Sequence, residues 1–469
     1  MRLLLRLWTL LPAGLLCAAA AGAAHSAERP HIVYITVDDL GWKDIGYHGS
    51  TIQTPALDRL AAAGARLEQF YVQPFSSQTR AAAMTGRYPL RYGMQTMQIQ
   101  WFSRFGVPGD ERLLSTALKE AGYTTALIGK WHLGHAVKEQ WPNQRGFDYF
   151  YGQLTGEIDY FKKTGHGGAA DWRRNDKQVR EPGYATALLG RDAVRLIGKH
   201  DRQAPLFLWL SFSAPQAPLQ APAELIQRYA ELSDSEQRVY RAMVSAIDDA
   251  VEQLVGALEQ RGMLKDTLIL FHANSGGVLP HKYPFGEGDV AHACADNGPY
   301  RDGRASLYEG GLRAIAFAVW PEKIQPGVVG EPMHAVDVYP TLLRLAGARP
   351  EQPKSLDGID QWPSISEGKP TGRREILLNV EDFRGAIRIG DWKLIRIATL
   401  PARTELYNLR ADPSEEDNQA ERDPERAQSM LRRLTEYAWE MAPSLYLEEL
   451  AHAHKADMPV YWNDNPVRP

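Results

Sequence analysis

Cysteine is scarce in this chain, which has two among its 469 residues, Cys17 and Cys294. Cys17 lies in an N-terminal segment that we expect to be removed, which would leave Cys294 alone. The sequence therefore excludes an intrachain disulfide framework in the processed protein. It has no internal repeat, and no low-complexity segment beyond the N-terminal one, which argues against repeat and fibrous architectures.

An excess of positive charge is also lacking. The formal net charge is −4, and removal of Arg2 and Arg6 with residues 1–27 would take it to −6. A mildly acidic chain argues against nucleic acid as the main partner. With 44% hydrophobic and 23% charged residues, the composition is that of a globular protein large enough for one big α/β domain and a smaller second one.

The N-terminal apolar run is short for a membrane-spanning helix. It covers residues 10–24, follows Arg2 and Arg6, and ends at small residues around Ala27. This pattern is typical of a signal peptide over residues 1–27, with a retained anchor as the alternative. We therefore expect no stable membrane insertion and a periplasmic or secreted location.

Helical and strand patterns alternate along the next 250 residues, which predicts an α/β sheet. The β-branched run from His31 to Val37 reads as a buried strand, and Thr54-Pro55 reads as the start of a helix that Gly64 ends. Further strands are predicted over 124–128, 206–211 and 267–272, and further helices over 113–121 and 236–261.

Polar residues follow several of these strands at the point where each one ends. They are Asp38 and Asp39, Lys130 and His132, Gln216, and Asn274 and Ser275. In open α/β sheets, ligands bind at the carboxyl ends of the strands. The sequence therefore predicts that these residues meet in one site.

The C-terminal part has a different pattern from about residue 370. A hairpin is predicted over 386–396 with Gly390-Asp391 at its turn, then a strand over 405–409 and a helix over 424–437. We expect a main domain over residues 28–370 and a small subdomain over 371–469, in which an antiparallel sheet packs against a helix.

Four motifs resemble those of the sulfatase family. Residues 71–94 resemble its signature, C/S-x-P-S-R followed by T-G-R-Y-P, and residues 85–89 match the second part at every position. Residues 129–134, 307–311 and 390–393 resemble three further family motifs in the same order. The likeness is greatest to arylsulfatases of the N-acetylgalactosamine-4-sulfatase type.

This resemblance implies an alkaline-phosphatase-like fold, in which helices sandwich a mixed sheet. It also implies Ca²⁺-dependent hydrolysis of sulfate esters, with a sulfated small molecule or glycan as substrate. The family nucleophile is a formylglycine made from the Cys or Ser of the signature, which is Ser76 here. By the same resemblance Asp38 and Asp39 correspond to metal ligands. Arg80 corresponds to the arginine beside the nucleophile, and Lys130 and His132 to sulfate contacts.

The signature also departs from the family pattern. Gln78 and Thr79 replace the Pro and Ser that the modifying enzymes read, which argues against conversion of Ser76 to formylglycine. Asn274 and Ser275 stand where the family has Asp-Asn, so a negative charge is lost and calcium should bind less tightly. Asp296-Asn297 resembles that pair, but its surroundings align better with the loop that leads to Arg304.

Two more positions change the expected chemistry. Arg304 replaces a sulfate-binding lysine and keeps its charge. Gln216 stands where the family has a histidine thought to protonate the leaving group, and glutamine does not titrate. His272, His281 and His292 lie near this region and are more readily interpreted as loop histidines than as replacement acids.

Two functions remain open from the sequence. The first is a sulfate ester hydrolase, with attack by unmodified Ser76 on a phosphate or phosphonate ester as a variant of it. The second is a non-catalytic relative that binds an anion or glycan. The loop 161–172, with Trp101, Phe102 and Phe105, is a candidate sugar cleft, although such aromatic residues more often serve packing.

Overall fold

The computed structural model describes residues 29–279, 294–349 and 354–453. The predicted signal peptide, His281 and His292 lie outside the described residues. The strands are β1 (His31–Val37), β2 (Ala65–Leu67), β3 (Phe70–Tyr71), β4 (Thr124–Lys130), β5 (Tyr149–Gln153), β6 (Arg173–Arg174), β7 (Lys177–Gln178), β8 (Leu206–Ser211), β9 (Thr267–Ala273), β10 (Ala316–Val319), β11 (Gly327–Val329), β12 (Met333–His334), β13 (Glu375–Val380), β14 (Arg384–Ile389), β15 (Trp392–Ile397) and β16 (Arg403–Asn408).

The described residues contain eleven α-helices. They are α1 (Pro55–Ala63), α2 (Ser76–Thr85), α3 (Leu114–Glu120), α4 (Ala185–Lys199), α5 (Ala223–Gln227), α6 (Ser235–Gln260), α7 (Glu309–Leu312), α8 (Val338–Leu345), α9 (Trp362–Glu367), α10 (Pro424–Trp439) and α11 (Leu445–Ala453). Within the described ranges, none of them is long and apolar enough to cross a membrane.

The main sheet has ten strands in the order β11-β2-β10-β9-β1-β8-β4-β5-β6-β7. Its centre, β9-β1-β8-β4-β5, is parallel, whereas β10, β6 and β7 pair antiparallel with their neighbours. The central strands are almost completely buried, which explains their continuous apolar sequences. The predicted mixed sheet is therefore confirmed.

Helices cover the sheet in two groups. One group is α1, α4, α5 and α6, and the other is α2, α3 and α8. Helices α3 and α4 belong to different groups and both pack on β4, so the sheet lies between two helical layers. The predicted strands at 31–37 and 206–211 and the helix that begins at Pro55 have the observed bounds, and the other predicted bounds differ by at most two residues.

The start of α1 corrects one local prediction. Thr54 does occupy the N-cap position, but its side chain makes no cap hydrogen bond. Instead the Asp248 carboxylate, on α6, accepts hydrogen bonds from the backbone N–H groups of Ala56 (3.1 Å) and Leu57 (2.8 Å). Thr54 Oγ1 meanwhile accepts a hydrogen bond from the Gly46 N–H.

The C-terminal region forms the predicted antiparallel sheet, with strands in the order β13-β14-β15-β16. Helix α10 packs on all four strands. The hairpin turn falls at Gly390, whose φ of 57° suits glycine. Strand β13 was not predicted, because its apolar residues follow a charged stretch, Arg373-Arg374-Glu375, and no turn signal defines its start.

Candidate functional site

The site lies at the carboxyl ends of four adjacent parallel strands. Asp38 follows β1, Lys130 ends β4, and Asn274 follows β9, while Gln216 lies in the loop after β8. These strands are parallel neighbours in the order β9-β1-β8-β4, so their carboxyl ends lie at one edge of the sheet. The structure thus brings together the residues that the strand pattern predicted to meet.

Asp38 is the centre of a buried network of hydrogen bonds. Its Oδ1 accepts from Arg80 Nη2 (2.8 Å) and Asn274 Nδ2 (2.9 Å), and its Oδ2 accepts from Lys130 Nζ (2.5 Å). Burial alone would raise the pKa of Asp38, but Arg80 and Lys130 outweigh it and hold the pKa below its ordinary value. Burial lowers the pKa of Lys130, and Asp38 opposes that change.

Asp39 forms a second, linked network. Its Oδ2 accepts from Arg304 Nη1 (2.7 Å) and its Oδ1 accepts from Ser275 Oγ (3.0 Å). Arg304 also donates from Nη2 to Gln98 Oε1 at 2.8 Å. Burial raises the pKa of Asp39, an effect that Arg304 opposes and the neighbouring Asp38 charge increases.

Ser76 is the first residue of α2 and is 1% exposed. Its Oγ lies 3.5 Å from His132 Nδ1, and His132 Nε2 lies 2.8 Å from the carbonyl oxygen of Ile99. A carbonyl only accepts, so Nε2 carries the proton and Nδ1 presents a lone pair toward Ser76. Burial and then Lys130 lower the pKa of His132 well below its ordinary value, which keeps the ring neutral.

The backbone at this site is strained at three non-glycine residues. Asp39 and His132 each have a φ of 57°, and Ala305, after Arg304, has a φ of 71°. Left-handed conformations cost of the order of 1 kcal/mol each for such residues and collect at binding and active sites. A glycine, Gly156, closes over the His132 ring, where an added Cβ would lie 2.6 Å from it.

The position of the expected general acid is occupied by a hydrogen-bond acceptor. Gln216 Oε1 accepts from Lys130 Nζ at 2.8 Å. His272, a possible replacement acid, contacts the Tyr34 hydroxyl through Nε2 (2.5 Å) and the Ala273 carbonyl through Nδ1 (2.8 Å). Burial lowers the pKa of His272 to about 4, so the ring is uncharged at neutral pH, and its one N–H, on Nδ1, is donated to the Ala273 carbonyl rather than to a leaving group.

The pair Asp296-Asn297 has a structural role. Asn297 Oδ1 accepts from the Gly277 N–H (2.9 Å), and its Nδ2 donates to the carbonyls of Gly277 and Asp302, both at 3.0 Å. Asp296 Oδ1 accepts from the N–H of Gly298 within its own turn. These contacts place the pair in the loop that positions Arg304, as its sequence context predicted.

The side chains predicted to bind calcium do not fit that ion as they stand. Ca²⁺ takes six to eight oxygen ligands. All four carboxylate oxygens of Asp38 and Asp39 already accept hydrogen bonds, while Asn274 and Ser275 direct donors at them. Among these four side chains, Asn274 Oδ1 is the one oxygen left without a hydrogen-bond partner. In the described ranges, no group of three His, Cys, Asp or Glu side chains is placed to hold a metal.

Sequence reasoning missed three contributors to the site. Gln98 and the Ile99 carbonyl come from a loop without any motif, 22 or more residues after Ser76. Ser211 ends β8, and its Oγ accepts from Arg80 Nη1 (2.5 Å) and donates to the Lys130 carbonyl (2.7 Å). Its place at the carboxyl end of a predicted strand was the one signal that could have identified it.

A pocket leads outward from the site. Its lining includes the buried side chains of His132 and Gln216 and the exposed side chains of Trp101, Glu157 and His166. The Trp101 and His166 rings stack with centroids 4.1 Å apart and planes 10° from parallel. Of the other aromatic residues proposed for a sugar cleft, Trp172 is buried against Tyr151.

The mixed sheet between helical layers, with this cation-rich site at its carboxyl edge, defines the alkaline-phosphatase-like class of fold. The family description "Sulfatase" matches residues 30–348. The chain is 32% identical to arylsulfatase J of Mus musculus, over 91% of this chain and 78% of that protein. It is 33% identical to N-acetylgalactosamine-6-sulfatase of Mus musculus, over 75% of this chain and 69% of that protein.

A solved structure gives the same assignment. Ps i-CgsB in complex with k-i-k-neocarrahexaose superposes with a TM-score of 0.80 at 32% identity, covering 89% of this chain and 94% of that one. The chain belongs to the sulfatase family.

Proposed function

We propose that this protein binds the sulfate ester group of a sulfated glycan and holds it without rapid hydrolysis. The observation that carries the proposal is a buried excess of cationic side chains beside Ser76. Three cations, Arg80, Lys130 and Arg304, converge there on two carboxylates, Asp38 and Asp39.

The formal charge of this cluster favours a singly charged ligand. Three cations and two carboxylates leave one positive charge, in a site where every one of these side chains is at most 7% exposed. A buried net charge is costly unless it is paired. A sulfate monoester carries one negative charge and would balance it, and the N-terminus of α2 adds a favourable dipole.

Hydrolysis lacks two of its expected parts. Departure of an alcohol from a sulfate ester is assisted by a proton donor, and loss of such a donor costs about 10²–10⁴-fold in rate. Gln216 cannot supply that proton, and its amide oxygen is engaged by Lys130. Gln78 and Thr79, which replace the residues read during formylglycine formation, are both buried and hydrogen-bonded within the loop around α2.

The outer pocket supports a glycan as the rest of the ligand. Exposed aromatic faces bind the apolar faces of sugar rings, and polar groups beside them fix the orientation. Trp101, which is 39% exposed, lines the same pocket as Gln216. The solved relative Ps i-CgsB is in complex with a neocarrahexaose, which makes a sulfated carrageenan oligosaccharide the first probe to use.

Calorimetric titration of the full chain with sulfated neocarrahexaose and with its desulfated counterpart tests this function. We expect the sulfated form to bind at least about tenfold more tightly, a difference of about 1.4 kcal/mol. Arg304→Gln should remove most of that preference, while Arg59→Gln, at an exposed ion pair with Glu252, should not. Equal affinity for the two oligosaccharides would contradict the proposal.

One observation favours a second function, hydrolysis by unmodified Ser76. The lone pair of His132 Nδ1 faces Ser76 Oγ, as in a serine nucleophile with its base. In that reaction His132 takes the Ser76 proton, Oγ attacks sulfur or phosphorus, and the alcohol leaves with a proton from solvent. Water then cleaves the sulfated or phosphorylated serine and releases the anion.

Assays on aryl sulfate and aryl phosphate esters separate the two functions. If binding is the function, the wild type releases no anion above the Ser76→Ala background, and Ser76→Ala keeps the oligosaccharide affinity. Turnover by the wild type that disappears in Ser76→Ala would instead establish hydrolysis. Mass spectrometry of the peptide that carries Ser76 would distinguish an intact serine from an aldehyde.

A further inference from the structure

We propose that the chain's own cations, Lys130 and Arg304, take the place of the divalent metal ion in this site, which therefore assembles and works without calcium. This inference does not depend on the proposed function, because it concerns how Asp38 and Asp39 are neutralised rather than what binds beside them.

The first argument is the coverage of the two carboxylates. Lys130 Nζ lies 2.5 Å from Asp38 Oδ2, and Arg304 Nη1 lies 2.7 Å from Asp39 Oδ2. Each carboxylate therefore has a full positive charge in direct contact, and Asp38 has a second one from Arg80. A metal ion would have to displace these contacts at buried groups, where each broken pair is costly.

The second argument is the direction of the hydrogen bonds at positions 274 and 275. Asn274 turns its Nδ2, not its oxygen, toward Asp38, and Ser275 donates its hydroxyl hydrogen to Asp39. A residue that coordinates a cation presents lone pairs to it. Both residues instead donate hydrogens to the carboxylates, so they stabilise the carboxylate charges by hydrogen bonding as a bound cation would by its charge.

The third argument is the charge of the whole cluster. Arg80, Lys130 and Arg304 already exceed the charge of Asp38 and Asp39 by one. A calcium ion would raise that excess to three in a buried site without any added carboxylate, which is strongly unfavourable. An aspartate at position 274 would lower the net charge of the cluster by one and supply another anionic ligand.

Calcium analysis of the wild-type chain gives the direct test. After dialysis against EDTA, followed by calcium in millimolar excess and removal of the free ion, we expect far less than one calcium per chain. The Tm should differ by less than about 1 °C with and without calcium, since a ligand that does not bind does not stabilise. About one bound calcium per chain, or a Tm that rises with calcium, would overturn the inference.

Arg304→Met tests the internal cation itself. If Arg304 neutralises Asp39, its loss leaves a buried carboxylate unpaired and lowers the Tm by at least about 3 °C, equally in EDTA and in calcium. Arg59→Met removes an arginine from an exposed pair with Glu252 and serves as the matched control, with a shift below about 1 °C. An Arg304→Met shift as small as the control would contradict the proposal.

The double substitution Asn274→Asp with Ser275→Asn tests why calcium is excluded. We expect the Tm of this double variant to be several degrees higher in millimolar calcium than in EDTA buffer. A folded double variant whose Tm does not change with calcium would refute the assignment of calcium exclusion to positions 274 and 275. Should it fail to fold, the wild-type analysis and Arg304→Met still decide the proposal.

Discussion

For the sulfated glycan that we propose as the ligand, Trp101 is the residue that we expect to contact the sugar. It stacks on His166 and contributes to the same pocket as the buried site residues His132 and Gln216. Its ring makes none of the hydrogen bonds of the carboxylate networks around Asp38 and Asp39. Its contribution to glycan binding should therefore be separable from that of the cations.

We predict that Trp101→Ala lowers the affinity for sulfated neocarrahexaose about tenfold, because a buried aromatic contact with a ligand contributes about 1 kcal/mol or more. Binding of inorganic sulfate should be unchanged. Phe161→Ala is the control, since Phe161 is similarly exposed but packs on Tyr184 rather than in the pocket. Calorimetry of the two variants measures both affinities. An equal loss of sulfate and oligosaccharide binding in Trp101→Ala would refute a separate sugar contact.

At the scale of elements, a side chain of α6 contacts the N-terminus of α1. Asp248 of α6 accepts hydrogen bonds from the buried N–H groups of Ala56 and Leu57 at the start of α1, whereas the Thr54 side chain makes no cap hydrogen bond. Burial raises the pKa of Asp248 to about 6, which reflects the cost of this charge away from water. The contact fixes the helix that packs beside β10 and β2.

Asp248→Ala should lower the free energy of unfolding by about 1–2 kcal/mol, the usual cost of a lost N-cap, because two buried N–H groups lose their acceptor. Asp249→Ala removes the neighbouring carboxylate, which pairs with Arg228 at the surface, and should cost less than about 0.5 kcal/mol. Chemical denaturation measures both. Equal effects of the two substitutions would show that Asp248 does not cap α1.

At the scale of the whole molecule, a buried lysine connects the small C-terminal sheet to α7. Lys393 of β15 contacts Glu309 of α7 at 3.0 Å and Glu415, in the turn after β16, at 2.8 Å, and all three side chains are buried. The Glu309 carboxylate also accepts from the Tyr71 hydroxyl. The motif at residues 390–393 therefore serves to attach the C-terminal sheet.

Lys393→Met should destabilise the protein by about 3 kcal/mol or more, since it leaves two buried carboxylates without their shared cation. Arg403→Met removes a half-exposed arginine from Glu405, which keeps its hydrogen bonds from the Tyr308 and Tyr407 hydroxyls, and should stay below about 1 kcal/mol. Thermal and denaturant unfolding give both values. The attachment would be refuted by a Lys393→Met variant as stable as Arg403→Met.

Glu381 should make stability depend on pH. Burial raises its pKa from 4.5 to about 7, although Arg384 opposes the rise. The folded state thus holds this proton more tightly than the unfolded state, so its stabilising effect is full below pH 4.5 and is lost as the pH rises through 7.

Between about pH 5 and pH 8, the Tm of Glu381→Gln should therefore fall less than that of the wild type. Comparing the two profiles cancels the other titrating groups. Glu367→Gln, at an exposed pair with Lys369, should follow the wild-type profile. Parallel profiles for Glu381→Gln and the wild type would contradict a raised pKa at Glu381.

The sequence by itself determined the family, the α/β order of elements and the position of the site. These follow from local information, because buried strands have continuous β-branched runs and motifs keep their own spacing. Asp38, Lys130 and Asn274 could be placed at strand ends in this way, and the structure brings them together.

Only the tertiary structure decided which atoms these residues present to one another. Arg304 reaches Asp39 across 265 positions of the chain, and Asp248 caps a helix that begins 193 residues before it. Neither contact leaves a periodic trace in the sequence. Asn274 could equally have offered its oxygen to a metal, and it offers its nitrogen because two carboxylates and three cations, from four separate segments, set the charge around it.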